Sequence, residues 1–118
     1  MTRKIDNAST VLYKGQAFQL VETDVFHGWL GSLKDRRGAA RIVDRLKRAA
    51  DGNFGDVKDE GSGVSALRID YGPGYRVYFS QRGKELVVLL CGGDKRTQKR
   101  DIMHARRLKV EIDRKSVV

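Results

Sequence analysis

Val64-Ser-Ala-Leu-Arg-Ile-Asp-Tyr-Gly-Pro-Gly-Tyr-Arg-Val-Tyr-Phe79 is the stretch on which the fold turns. Leu67, Ile69 and Tyr71 alternate with Arg68 and Asp70. After Gly72-Pro73-Gly74, Tyr75, Val77 and Phe79 alternate with Arg76, Tyr78 and Ser80. A period of two on either side of a glycine-proline turn predicts two antiparallel strands. Arg82-Gly83-Lys84 then reads as a second turn, and the apolar run Leu86 to Leu90 as a central strand covered on both faces. Gly92-Gly93 leads into a final basic helix with Ile102, Ala105, Leu108 and Ile112 as its inner stripe.

Upstream of this meander the period is helical. Ala39, Ile42, Val43, Leu46 and Ala50 share one face, with Arg41, Arg45, Lys47 and Arg48 outside and Gly52-Asn53 as the stop. Val25, Phe26, Trp29, Leu30 and Leu33 predict an earlier helix, capped by Thr23 or Asp24. Ala17 to Val21 is a short apolar segment, a first strand or a lead-in to that helix. Residues 1–16 read as an N-terminal arm in which Val11, Leu12 and Tyr13 could add an edge strand, and residues 17–118 as a single domain. The expected fold is α+β: two N-terminal helices packed on a small antiparallel sheet, followed by a C-terminal basic helix.

The 118 residues are 40% hydrophobic and 33% charged, a balance suited to one solvated globular domain. No run is long enough to span a membrane, and the first residues lack the apolar centre of a secretory signal, so the expected location is the cytoplasm and no membrane partner is expected. Cys91 is alone and cannot close an internal disulfide. A net charge of +9 makes a polyanion the leading class of partner, since each cation set against a phosphate releases condensed counterions. Between Lys95 and Lys115 there are nine Lys or Arg against three Asp or Glu.

Arg68, Arg76 and Lys95 are spaced so that one sheet face can gather them, the outline of a phosphate site. No histidine or cysteine cluster has metal-ligand spacing, so neither a metal nor another cofactor is expected. His27 points off the apolar face of its helix, His104 lies on the outer side of the last helix, and Trp29 and Cys91 read as core.

Several motifs together carry a family resemblance: Phe26 to Leu33, Gly52 to Lys58, Gly63-Val64, Leu67 to Phe79 and Leu89 to Ile102. They resemble the RelE/ParE toxin superfamily, in its HigB-like branch often labelled addiction module killer protein or phage-derived toxin-like protein. The resemblance implies a RelE-like fold and the toxin of a type II toxin-antitoxin pair, held inactive by a cognate antitoxin that in this branch is often a helix-turn-helix protein. RelE-like members cleave messenger RNA on the ribosome and so inhibit translation, whereas ParE-like members act on DNA gyrase without catalysis. A decayed toxin kept as an interaction module is a third reading, and fold alone does not choose among them.

Under the nuclease reading the resemblance assigns Arg76, which follows Gly74-Tyr75, to the developing phosphoryl charge, Arg68 to the substrate phosphate, and Lys95 to the loop cation. Strand arginines also pair with neighbouring carboxylates, and Asp70 is the expected partner of Arg76 in that case. Gly92-Gly93 before the helix suggests exposed N–H groups that, with Lys95 or Arg96, hold an anion. Arg96, Lys99 and Arg100 are the further RNA-binding candidates, and Arg41, Arg45, Arg48, Lys99, Arg100, Arg106 and Arg107 would meet ribosomal RNA, with plain solvated helix faces as the other reading of most of them. Two positions depart from the RNA-cleaving pattern: Ala66 stands where a second lysine belongs, and Thr97 to Ile102 contains Asp101 rather than a tyrosine. Tyr78, on Arg76's face, is the expected proton-transfer group, with Tyr71 and Tyr75 as alternatives.

Overall fold

The computed structural model describes residues 4–5 and 9–116. Three strands come first, β1 (Lys4–Ile5), β2 (Ser9–Lys14) and β3 (Gln19–Thr23). Helices α1 (Asp24–Ser32) and α2 (Arg36–Ala50) follow, then β4 (Val57–Asp59), β5 (Ser65–Ile69), β6 (Tyr75–Arg82) and β7 (Leu86–Asp94). A single 3-10 turn, Lys95–Thr97, opens α3 (Gln98–Ser116). All seven strands form one sheet in the order β1-β2-β3-β7-β6-β5-β4. The β3–β7 pair is parallel and every other neighbouring pair antiparallel.

This overturns the expected two N-terminal helices on a small antiparallel sheet. Strands lead the chain, the sheet is mixed, and α1 and α2 enter only after β3. The cause is non-local. Leu20, Val21, Glu22 and Thr23 are all buried, so β3 lacks the alternation that marks a one-sided strand. It pairs with β7, where Val21 lies opposite Val88, a partner that local periodicity cannot reveal. Within the span read as an arm, residues 1–3 and 6–8 lie outside the described residues, while Ser9–Lys14 pairs along β3.

The central strands β3, β5, β6 and β7 are covered on both faces. Leu20, Leu67, Ile69, Tyr75, Val77, Phe79, Val87 and Leu89 meet Phe26 of α1 and Ile42, Leu46, Ala49 and Ala50 of α2. On the other face Val21, Ala66, Tyr78, Val88, Leu90 and Cys91 meet Ala105 and Ile112 of α3. Each fully buried leucine or isoleucine here contributes about 1.5–3 kcal/mol. The predicted central strand is therefore found, with Val87 to Leu90 buried.

Thr23 joins three elements. Its Oγ1 accepts from the Phe26 N–H at 3.0 Å, capping α1, and donates to the Leu90 carbonyl at 2.6 Å. That carbonyl belongs to a bulge: Tyr78 lies opposite Cys91 but Phe79 opposite Leu89, so Leu90 is the extra residue. The bulge sends both Leu90 and Cys91 toward α3. Asp35 caps α2, accepting from the Gly38 N–H at 2.9 Å and from the Tyr75 hydroxyl at 2.8 Å. A Cβ on Gly38 would lie 2.6 Å from the Tyr75 ring, so only glycine lets α2 start this close to β6.

A candidate cationic groove at the hairpin end of the sheet

Strand register brings the predicted cations together. Arg68 of β5 and Arg76 of β6 are directly opposed Cα partners, and both lie on the α3-facing side by alternation. The turn between them closes with the Gly74 N–H donating to the Tyr71 carbonyl at 3.0 Å, and Gly72 and Gly74 take φ of 55° and 80°. Beyond β7, Lys95 packs near Gly74. Asp56, Arg68, Ile69, Asp70, Gly74, Arg76 and Lys95 together line a groove of about 340 Å³.

The two arginines differ in what holds them. Arg68 donates through Nη2 and Nε to one oxygen of Asp56, at 2.7 and 3.1 Å. That bond is the main reason the Asp56 carboxyl titrates below the usual carboxylate range, with the charges of Arg68, Arg45 and Arg76 adding to it against the effect of burial. Arg76 donates through Nη1 to the carbonyls of Gly74 and Tyr75, and its buried Nε has no partner among the described residues. It makes no ion pair with Asp70, so the expected pairing across the hairpin is absent among the described residues.

Arg45 of α2, expected at an RNA surface, instead braces two segments that line the groove. It donates to the Arg68 carbonyl at 2.6 Å and the Phe54 carbonyl at 2.9 Å, tying the loop that carries Asp56 to the end of β5. Gly55, at φ of 67°, lets the guanidinium approach, since a Cβ would sit 2.9 Å from Arg45 Nη2. Sequence reasoning gave Asp56 no role and Arg45 none at this groove. The glycine-flanked segment Gly52 to Lys58 was visible there, but only the folded register pairs it with Arg68.

Gly92 and Gly93 do not form the expected anion loop. Both lie inside β7, opposite Val77 and Arg76. They are glycines because a Cβ on Gly92 would overlap the Trp29 ring, and one on Gly93 would overlap the Asp101 carboxylate. The turn that follows is already capped by a carboxylate, Asp94, which accepts from the Arg96 N–H at 2.9 Å. Arg96 pairs with the same carboxylate at 3.2 Å. Lys95, Arg96, Lys99 and Arg100 line an open depression beside the groove, with Lys95 common to both.

The tyrosines stand elsewhere. Tyr78 shares Arg76's side of the sheet but is wholly buried beneath α3, its hydroxyl unpartnered among the described residues. Burial first, then the nearby charges of Asp101 and Glu60, raise its pKa far above 10, which removes it as a proton acceptor. Tyr75 points to the other face, where burial and then its bond to Asp35 push it up to about 12. Tyr71 lies half-buried under the Arg41 guanidinium, 4.9 Å from its ring centroid. Cys91 is buried, and its thiol is pushed up to about 12 by burial and then by Asp101. Exposed His27 pairs with the buried Glu22 carboxylate and lines a separate depression where β3 meets α1.

Helices on both faces of a mixed sheet, with three cations and two carboxylates gathered where one hairpin ends, define a small layered α/β protein with a charged cleft. The chain is 49% identical over 94 residues to an uncharacterized protein of Haemophilus influenzae, covering 80% of this chain and 95% of that one. It belongs to the same family as that protein. No family model matches the chain, and no solved structure matches it. Among the described residues no helix is long and apolar enough to cross a membrane, and no group of three or more His, Cys, Asp or Glu could hold a metal ion.

Proposed function

We propose that this chain is a RelE-like, HigB-like toxin: a cytoplasmic endoribonuclease that cleaves messenger RNA at the ribosome and is restrained by a cognate helix-turn-helix antitoxin. The observation that supports this reading is the opposition of Arg68 and Arg76 across one strand pair, with Lys95 lining the same groove. Three fixed cations around one cleft suit a scissile phosphodiester. They stabilise the charge that develops as the ribose 2′-hydroxyl attacks its neighbouring phosphate. Arg76 and Lys95 have no carboxylate within ion-pair distance among the described residues and take that charge; Arg68, braced by Asp56, orients the phosphate. With Tyr78 buried, the proton acceptors lining the groove are carboxylates, Asp56 and Asp70. Asp56 is already bonded to Arg68, which leaves Asp70 to take the 2′-hydroxyl proton as the new P–O2′ bond forms and the P–O5′ bond breaks, the departing 5′-oxygen taking a proton from water to leave a 2′,3′-cyclic phosphate and a 5′-hydroxyl.

Mapping transcript ends after brief induction tests this. Cut transcripts ending in 2′,3′-cyclic phosphate or 3′-phosphate are expected, and Arg76→Ala should abolish them while the protein stays folded. The withdrawal of Tyr78 from the groove favours one alternative, a ParE-like inhibitor of DNA gyrase that cuts nothing. Intact transcripts together with reduced supercoiling by gyrase would decide for that alternative.

A further inference from the structure

A second and larger groove, about 810 Å³, lies between α2 and the β5–β6 hairpin. Arg37, Arg41, Arg45 and Arg48 enter it from one stripe of α2, and Ile69, Asp70 and Tyr71 close it from the hairpin. Their duties differ. Arg45 is committed to backbone carbonyls, and Arg48 to Asp44 at 2.6 Å. Arg37 and Arg41 make no ion pair among the described residues, and the Arg41 guanidinium lies over the Tyr71 ring in a cation–π contact. Ile69 and Asp70 line both this groove and the Arg68/Arg76/Lys95 groove. The last ladder pair between β4 and β5 is Val57 with Leu67, the Arg68 N–H still donates to the Asp56 carbonyl, and beyond it the exposed Asp70 stands between the two grooves.

We propose that this α2 groove is a second nucleic-acid subsite, in which Arg41 and Tyr71 hold a base and Arg37 a backbone phosphate of single-stranded RNA. The proposal rests on the ribonuclease reading and extends it: the strand crosses at Asp70 and delivers its next linkage to Arg76. A guanidinium plane backed by an aromatic ring is a stacking surface for any base. Asp70 at the crossing repels a phosphate but accepts a hydrogen bond from a ribose hydroxyl, so it suits the sugar between two linkages. An acidic peptide would meet that same carboxylate with like charge, and its side chains would gain nothing from the stacked pair.

Binding of unmodified RNA in the absence of ribosomes, which keeps the ribose hydroxyl facing Asp70 and with its length checked by gel afterwards, tests the subsite by fluorescence anisotropy with a dodecamer and a trinucleotide. The double variant Arg37→Gln/Arg41→Gln, at exposed positions, should weaken dodecamer binding about tenfold or more and flatten its log–log salt dependence by about 0.7 for each phosphate no longer neutralised. Trinucleotide binding should not change. Tyr71→Leu should cost about tenfold on the dodecamer, and Tyr71→Phe should restore it. Unchanged dodecamer binding in the double variant overturns the subsite, as does an equal loss of binding to polyglutamate. Arg76→Ala in the same assay tests the parent reading separately: loss there with none in the double variant leaves the first groove standing and removes the second. Failure of the wild-type chain to bind either oligonucleotide removes both.

Discussion

Arg76 and Tyr78 stand two residues apart on the same face of β6, and the fold treats them oppositely. Tyr78 lies under α3 against Ala105 and Ile112, fully sealed, with its hydroxyl unpartnered among the described residues. Arg76 lies opposite Gly93, outside the cluster that α3 covers, and lines the groove. What separates them is the reach of the covering helix. Alternation along a strand determines which face a side chain takes, while the neighbouring layer determines whether that face meets solvent or core. One residue becomes a cation available to a ligand, and the other a packed ring whose polar tip is left without a role.

The largest effect expected from this contrast is on activity. Under the proposed reading Arg76→Ala removes one preorganised cation from the transition state, a loss of about 10²–10³ in cleavage rate. Arg76→Lys should recover only part of it, because an ammonium cannot reproduce the fork of guanidinium donors. Thermal unfolding should barely move in either variant. A large fall in melting temperature would instead make Arg76 a structural residue that happens to line a groove.

Next in size is Gly92→Ala, which tests how closely the opposite face is packed. The new Cβ would strike the Trp29 ring, itself held between Phe26 and Tyr75, so the ring must move. Overpacking of this kind costs about 1–3 kcal/mol and should appear as a lower urea midpoint with an unchanged slope.

Tyr78→Phe should go the other way. Removing a buried hydroxyl that has no partner among the described residues relieves a desolvation penalty, for a gain of about 1 kcal/mol in unfolding free energy. Cleavage should be unaffected. A large loss of cleavage in this variant would return the tyrosine to the mechanism and contradict its removal from the groove.

These residues also mark what the sequence could and could not disclose. The hairpin and the gathering of Arg68 and Arg76 on one face were legible, because a strict period of two and a Gly-Pro-Gly turn are local signals, while the register that sets Arg68 opposite Arg76, in place of the expected Asp70, was not. The amphipathic α2 was legible for the same reason, as was the cap of α1, narrowed to Thr23 or Asp24, of which Thr23 serves. The leading strands were not: β3 is buried over most of its length and pairs in parallel with a strand far along the chain, so neither alternation nor a hairpin turn announces it. At the groove, the missing information was also about layers. Nothing in the local pattern of Tyr78 distinguishes it from Arg76, and nothing around Arg45 says that its guanidinium will serve the carbonyls of Phe54 and Arg68. Gly92 and Gly93 read as a loop because glycine pairs usually are; here each vacates space for a side chain from a helix, Trp29 on one face and Asp101 on the other.

The smallest expected effect concerns the third polar group of β6, Tyr75, whose hydroxyl found the partner that Tyr78 lacks. Asp35 is held below its ordinary carboxylate pKa, first by the Gly38 N–H and then by the Tyr75 hydroxyl. A depressed folded pKa contributes stability that is whole above the unfolded value of about 3.9 and is lost as pH falls through the folded one. Tyr75 is raised to about 12, so its contribution is whole below about 10 and is lost as pH rises through that folded value. Melting temperatures recorded across both limits should therefore show one hydrogen bond from its two ends: Asp35→Asn should make the acid limb shallower and the alkaline one only slightly so, since burial still holds Tyr75 up, while Tyr75→Phe should do the reverse, with Asp56 and Asp94 sustaining the rest of the acid limb and Tyr78 and Cys91 the rest of the alkaline one. Since Asp35 keeps its bond to the Gly38 N–H in the second variant, an acid limb made as shallow by Tyr75→Phe as by Asp35→Asn would mean that the tyrosine, and not the helix N-terminus, is what holds that carboxylate ionised.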